Sequence, residues 1–395
     1  MADQREVVVL SGVRTAIGDY GGSLKGFGAT DLGAMVIEEA ISRSKVDPGK
    51  IAHGVIGNVI HGEAKDMYVS RVACVKGGMA HDSQALTVNR LCGSGLQAIV
   101  SAAQLVMLGD ADFAIGGGAE SMSRAAYAST SARWGARMGD TGMVDMMVGA
   151  LTDPFDTVHM GITAENVAEK WGLSRDDQDA FSVESHQRAA KATAEGYFKE
   201  QILPVTLKSR KGDTIFDTDE HVRGDVTTEG LGKLRAVFKK DGSVTAGNAS
   251  GINDGAAAVV LAEAGAAASA GAEPRGRLVS YGFAGVDPAY MGEGPIPAVK
   301  KALDRAGLTV GDLDVIESNE AFAAQALAVC KGLEFDPAKT NPNGGAVALG
   351  HPIGATGAIL TVKCLYELKR IGGKYGLVTM CIGGGQGIAA IFERT

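Results

Sequence analysis

Aromatic side chains make up only 5% of the 395 residues, and prolines number 10. A chain with so few large rings must build its interior from aliphatic and small side chains. Cysteines are scarce too. The five, at positions 74, 92, 330, 364 and 381, are odd in number and follow no regular spacing. That excludes a disulfide framework and the paired spacings of a zinc site, so no metal is expected. Positive charge is in short supply: the net charge is −8 and no basic stripe with interleaved aromatics occurs. Nucleic acid is therefore not an expected partner. The dense positive stretch from Lys208 to Lys240, read alone, is a solvated surface. No uninterrupted apolar run reaches the ~20 residues of a membrane span. Residues 1–10 carry no charged-then-apolar leader. The expectation is a cytoplasmic chain with free thiols and no membrane partner.

Glycine, in contrast, is abundant at 56 residues. It sits beside apolar runs, which points to tight turns and close backbone packing rather than disorder. Apolar residues at 45% suffice for a sizeable core. The length suggests about two to three domains.

Residues 6–13 read as a strand buried on both faces, and 31–44 as a helix with Leu32, Met35, Val36 and Ala40 inward. Strand 54–60 and a helical stretch at 71–77 follow. Residues 96–108 form a helix that is apolar or small nearly all round, and such a helix belongs in the middle of a larger structure. Strand 112–115 runs into Gly116-Gly117-Gly118. From 121 to 250 strands thin out. A capping box at Ser174 opens a charged, surface-exposed helix to 197, and short strands alternate over 201–218. Trp134 and the Met-rich 143–147 segment read as a loop or interface. Strand 256–261 returns to the first half. The second half brings strand 278–283, helix 295–306, strand 314–318, helix 354–368 and strands 375–380 and 388–392.

The two halves repeat each other weakly at a spacing of about 260 residues, with Gly116–Gly118 matched to Gly383–Gly385. Strand–helix alternation implies an α/β fold of duplicated βαβ halves with parallel sheets. The expected division is a first half at 1–120 plus 251–274, an inserted loop domain at 121–250, and a second half at 275–395. Duplication should set the start of helix 96–108 beside the loop in the 350s.

Four stretches carry chemistry. Cys92, in Asn89-Arg90-Leu91-Cys92-Gly93-Ser94-Gly95, sits at a helix start, where unpaired N–H groups and the helix dipole favour a thiolate. Taken singly, a buried structural cysteine is the commoner reading. His351, fixed by Pro352 before a helix, could take a proton and keep Cys92 as thiolate, or could simply cap a turn. Cys381 ends a strand and leads into Gly383-Gly384-Gly385. A dinucleotide fingerprint fits poorly there, since no helix follows. Asn319, at another strand end, could orient a water or a carbonyl, or could be an Asx-turn residue.

Together the motifs NRLCGSG, NEAF, GHPIGATG and CIGGGQG, with His159-Met160-Gly161 and 246–251, resemble the thiolases over essentially the whole chain. They are most similar to the short biosynthetic type, the acetyl-CoA acetyltransferases and short-chain 3-ketothiolases. The resemblance implies a five-layer α-β-α-β-α arrangement. It implies that Cys92 is the acylated nucleophile and Cys381 the acid/base at the α-carbon. His351 would activate Cys92 and, with a water held by Asn319, form one oxyanion hole; the N–H groups of Cys92 and Gly383 would form the other. Ser250, Ala246 and Gly247 would contact the pantetheine of coenzyme A, His159, Met160 and Leu151 would line its tunnel, and Arg223 and Phe238 would hold the nucleotide end. Ala321 and Phe322 would contact substrate. Acyl-CoA and CoA are the implied partners, a homotetramer the implied assembly, and no cofactor beyond CoA as substrate is implied.

Joining two thioesters needs a covalent acyl carrier, a base at the α-carbon and donors for two developing oxyanions. One cysteine cannot be esterified and serve as base at once. A degradative 3-ketoacyl-CoA thiolase would use the same residues. A ketoacyl-synthase-type condensing enzyme pairs one cysteine with two histidines or with His and Asn, and Cys381 argues against it. A cysteine thioesterase would lose the acyl group to water, and a non-catalytic binder would not need Cys92, His351 and Cys381 together.

Overall fold

The computed structural model describes residues 5–395. The chain runs β1 (Val7–Thr15), α1 (Ala29–Ser44), β2 (Ile51–Gly57), α2 (Val69–Lys76), β3 (Gln84–Val88), α3 (Ser94–Leu108) and β4 (Phe113–Ser121). The inserted stretch carries α4 (Met160–Trp171) and α5 (Arg175–Ala194), and β5 (Asn253–Glu263) closes the first half. The second half is β6 (Gly276–Gly285), α6 (Pro295–Ala306), β7 (Val315–Ser318), α7 (Ala323–Leu333), α8 (Thr356–Ile371), β8 (Tyr375–Ile382) and β9 (Gln386–Glu393). The sheet order is β7-β8-β9-β6-β1-β5-β4-β2-β3. The halves join edge to edge at Val8–Arg277 and Val9–Gly276.

The sheets are mixed rather than parallel. β2 lies parallel to β3 and β4, and β7 parallel to β8. β5 is antiparallel to both β1 and β4, and β9 to both β8 and β6. The reason is the connection. Residues 383–385 are too few for a crossover, and Gly384 and Gly385, each at φ +81°, fold β8 back into a hairpin. The two glycine triplets are therefore not equivalent. Gly116–Gly118 lie inside β4, whereas Gly383–Gly385 form a turn after β8. A Cβ on Gly116 would meet Ile99 of α3, and one on Gly118 would lie 2.2 Å from the Gly354 carbonyl oxygen. The first triplet makes room for the central helices.

Five layers result: α1 and α2 cover one sheet, α3 and α8 lie between the sheets, and α6 and α7 cover the other. Residues 91–108 are long and apolar enough to cross a membrane by length and composition alone, yet they lie mostly buried inside the molecule. α3 crosses α8 at two glycines. A Cβ on Gly95 would sit 2.7 Å from the Ala358 amide nitrogen, and one on Gly357 would sit 2.3 Å from that of Leu96. The backbones touch, so both helix starts share one place.

The inserted stretch is fastened to β1 by Arg14. Its buried guanidinium donates to both carboxylate oxygens of Asp219 at 2.7 and 2.9 Å and to Gln201 at 2.8 Å. The expected short strands are present at Ile202–Leu203, Val205–Leu207 and Thr214–Phe216. α5 has the expected capping box but is not merely a surface helix. Its inner face is polar and buried: Asp179 accepts from Asn248 at 3.0 Å, and Ser185 donates to Glu320 at 2.7 Å. Sequence patterning misses α4, whose stripe of Met160, Ala164, Val167 and Ala168 is short and mixed with buried Thr163 and Glu165, and α7, whose alanine-rich run carries little apolar periodicity.

The crossing makes a sharp prediction. Gly357→Ala forces a methyl into the Leu96 backbone and should lower the thermal midpoint by several degrees. Gly232→Ala, with open space around it, serves as the control. Equal melting curves for the two variants would refute the tight crossing.

Candidate active site

The turn between β3 and α3 holds Cys92 in an unusual conformation. Leu91 adopts φ +42°, where a residue with a side chain is strained. Side chains stabilise the bend. Asn89 Oδ1 accepts from the Leu91 N–H at 3.0 Å, while Ser94 Oγ accepts from the Arg90 N–H at 2.8 Å and donates to the Leu91 carbonyl at 2.7 Å. Gly93 has no room for a side chain, because a Cβ would meet Ile382 at 2.6 Å. Cys92 is left half-buried, facing a cavity of about 510 Å³.

His351 reaches the same cavity from the loop before α8. Thr356 Oγ1 spends its one proton on the Pro352 carbonyl at 2.9 Å, so at 2.7 Å it must accept from His351 Nδ1. The unprotonated nitrogen is thereby Nε2, 3.4 Å from Asn319 Nδ2. Asn319 itself is fully buried at the end of β7, and its Oδ1 has no protein partner among the described residues. Such an orphan acceptor suits a bound water.

Cys381, next to the end of strand β8, is fully buried and sits behind the cavity lining. It packs with Met160, Met291, Ala321 and Phe322, which line the cavity. His159, Leu151, Phe238, Ala246, Ser250 and Gly383 line it too. Phe238 stacks on His159 with ring centroids 4.6 Å apart. Two expected contacts stand elsewhere. Gly247 backs onto Leu231 and Leu234, and Arg223 lies beyond the lining, half-exposed and 3.4 Å from Asp19.

Electrostatics decide the resting state. Burial pushes the Cys92 thiol up to about 11, and the nearby Glu120 carboxylate adds to the rise. Two backbone N–H groups, from Gly383 and Cys92 itself, reach the sulfur and oppose this without winning. Burial likewise pushes His351 down to about 4 and Cys381 well above its ordinary value, with the neighbouring Cys92 contributing. These shifts run against the expected resting thiolate. Desolvation outweighs the helix terminus, and the pair rests as neutral thiol and neutral imidazole. A neutral Nε2 is still the right acceptor for the thiol proton.

Sequence reading misses Glu120. This fully buried carboxylate accepts from Asn58 Nδ2 and from the N–H groups of Val59, Ile60 and Gly354, all at 2.9–3.1 Å. Burial raises it to about 8. It ties the first half to the loop carrying His351. A charged residue ending a fully buried strand was the available signal.

Comparison with known proteins fits this geometry. The family model "Thiolase, N-terminal domain" matches residues 7–265, and "Thiolase, C-terminal domain" matches 272–394. The beta-ketothiolase BktB of Cupriavidus necator is 65% identical over 391 residues, covering 99% of each chain. An acetyl-CoA acetyltransferase of Syntrophomonas wolfei is 48% identical, covering 98% of this chain and 99% of its own. The crystal structure of human mitochondrial 3-ketoacyl-CoA thiolase in complex with CoA superposes at a TM-score of 0.96 with 44% identity, covering 99% of this chain and 98% of that one. The chain belongs to the thiolase family, and it is an acyltransferase enzyme.

A neutral resting thiol has a measurable signature. Alkylation of Cys92 in the free enzyme, followed by peptide mapping, should rise about tenfold per pH unit between pH 7 and 9. A plateau below pH 8 would establish an ion pair instead.

Proposed function

We propose that the chain catalyses the reversible Claisen condensation of two acyl-CoA thioesters, acetyl-CoA with acetyl-CoA or another short acyl-CoA, and the thiolysis of short 3-ketoacyl-CoA. In this reading Cys92 Sγ attacks the thioester carbonyl while His351 Nε2 receives its proton and returns it to the departing CoA sulfur. Cys381 first passes its thiol proton to His351 Nε2, and the resulting thiolate removes the α-proton of a second acyl-CoA. The enolate carbon attacks the Cys92-bound acyl carbon, and the Cys92 sulfur leaves and takes the proton held by His351.

The observation that carries the reading is the pair of N–H groups, from Gly383 and Cys92, that converge on the Cys92 sulfur. Donors placed there meet the oxygen that becomes anionic as the acyl group transfers. A water held by Asn319 and, once it carries the Cys381 proton, His351 Nε2 supply the second oxyanion site, facing the enolate. The raised proton affinity of buried Cys381 suits a group that must take a proton from carbon. Apolar walls of Met160, Met291, Ile353 and Phe322 keep water from the acyl-enzyme.

Segment 121–250 serves as the CoA platform. Ser250 and Ala246 contact the pantetheine, His159, Met160 and Leu151 form its tunnel, Phe238 flanks it, and Arg223, outside the cavity, meets the nucleotide end that projects beyond it. CoA is substrate and product, with no resident cofactor. The assembly is a cytoplasmic dimer of dimers. Two surfaces support it: the solvent-facing apolar side chains of Tyr127, Trp134, Met138 and Met143, and the outer edge of β3. A degradative thiolase in the opposite direction uses the same residues.

Labelling tests the division of roles. Cys92→Ser should abolish transfer of radiolabelled acetyl from acetyl-CoA to protein. Cys381→Ser should still acylate at Cys92 while losing α-proton exchange by about 10²–10⁴-fold. Acylation of the Cys92→Ser protein elsewhere, or undiminished exchange without Cys381, would overturn the reading.

A further inference from the structure

The cavity wall carries a polar group that the reaction above leaves unused. Asp19 and His221 both line it, and Asp19 Oδ1 lies 2.6 Å from His221 Nδ1. A carboxylate can only accept, so Nδ1 carries the proton and Nε2 is left for a ligand. Asp19 binds two more side chains. Its Oδ2 accepts from Arg223 Nη2 at 3.4 Å, and its Oδ1 accepts from Asn253 Nδ2 at 3.3 Å.

Each of those partners leads somewhere. Asn253 Nδ2 also donates to the Gly18 carbonyl at 3.1 Å, and Asn253 Oδ1 accepts from the backbone N–H of His351 at 2.9 Å. The Arg223 N–H donates to His186 Nδ1 at 3.1 Å, which fixes the segment carrying both His221 and Arg223. The node therefore connects the base at the cavity floor to the arginine at its outer end. The fit around it is close. A Cβ on Gly251 would lie 2.7 Å from His221 Cε1, so the imidazole rests against the backbone next to Ser250.

We propose that Asp19 and His221 form a hydrogen-bonding station for the amide-bearing arm of the bound thioester. His221 contacts the arm, and Asp19 is a positioning residue that holds His221 and Arg223 at a fixed distance from His351. The proposal rests on the thiolase reading above. A thioester with its reacting carbon at Cys92 and its nucleotide end near Arg223 must pass His221. The groups between those ends that can hydrogen-bond an imidazole are the amides and hydroxyl of the pantetheine arm. The opposite wall, with Phe238 stacked on His159, is largely aromatic and gives the arm an apolar side.

Steady-state thiolysis of acetoacetyl-CoA and of acetoacetyl-pantetheine tests this. His221→Phe keeps a ring against Gly251 but removes the polar nitrogens. It should raise KM about three- to tenfold for both substrates and leave kcat within about twofold. His221→Gln should recover part of that loss. Asp19→Asn should raise KM more for the CoA ester than for the pantetheine ester, since it releases Arg223 as well, and Arg223→Ala should affect the CoA ester alone. Unchanged KM in His221→Phe, or a rise confined to the CoA ester, overturns the station. A fall in kcat at constant KM also overturns it, and assigns the node to support of His351. Wild-type protein inactive on both substrates would refute the thiolase reading itself, an outcome distinct from all of these.

Discussion

Two helices touch backbone to backbone at Gly95 and Gly357, and that contact sets where everything else can be. Because neither glycine carries a Cβ, α3 and α8 approach closely enough for their N-terminal turns to share a corner of the molecule. Cys92 lies just before one turn and His351 just before the other. The same corner receives the end of β8, where Cys381 sits and Gly383 turns its N–H toward the Cys92 sulfur. Glu120 secures the arrangement from below by accepting from the Gly354 N–H and from three donors of the first half. A wider crossing would separate the nucleophile from its base before any question of chemistry arose.

Dryness is the second constraint, and it changes how the nucleophile works. A helix terminus and two N–H donors would activate an exposed cysteine. At this depth the cost of desolvating a thiolate is greater, and the thiol keeps its proton. The same burial removes the proton from His351 and strengthens Cys381 as an eventual base. The site thus holds a neutral set of groups that exchange protons only along the reaction. This limits side reactions of a free thiolate and explains why His351 needs a fixed tautomer. Thr356 provides it by having no second proton to give.

Much of this was legible in the residues. The glycine-flanked motifs around Cys92, His351 and Cys381 announce tight turns at element ends, Asn319 marks another strand end, and the helix that is apolar or small nearly all round announces a central layer. What escaped was set by tertiary context. Strand direction depended on a three-residue turn, 383–385, with a strand expected on each side of it; the parallel expectation came from the strand–helix alternation elsewhere in the chain and overlooked this short connection. The likeness of the two glycine triplets misled, because one clears space for helices and the other makes a hairpin. Helix α7 lacked a clear stripe because small residues pack on several faces at once, and the stripe of α4 was masked by buried Thr163 and Glu165. Glu120, Asn253 and Asp19 are far apart in the chain, and only the fold shows that they hold one another's neighbours.

The largely apolar surface of α3, polar along Gln97, Ser101 and Gln104, has a consequence for biosynthesis. Its partner α8 lies far downstream, so the ribosome must add well over two hundred residues before the inner layer can be covered. At ~5–20 residues per second, that leaves a sticky helix without its mate for on the order of tens of seconds. Until α8 emerges, the strands of the first half, on which α3 packs, are what can shield it. The close fit that makes the mature enzyme is also what makes its unfinished chain hazardous to the cell.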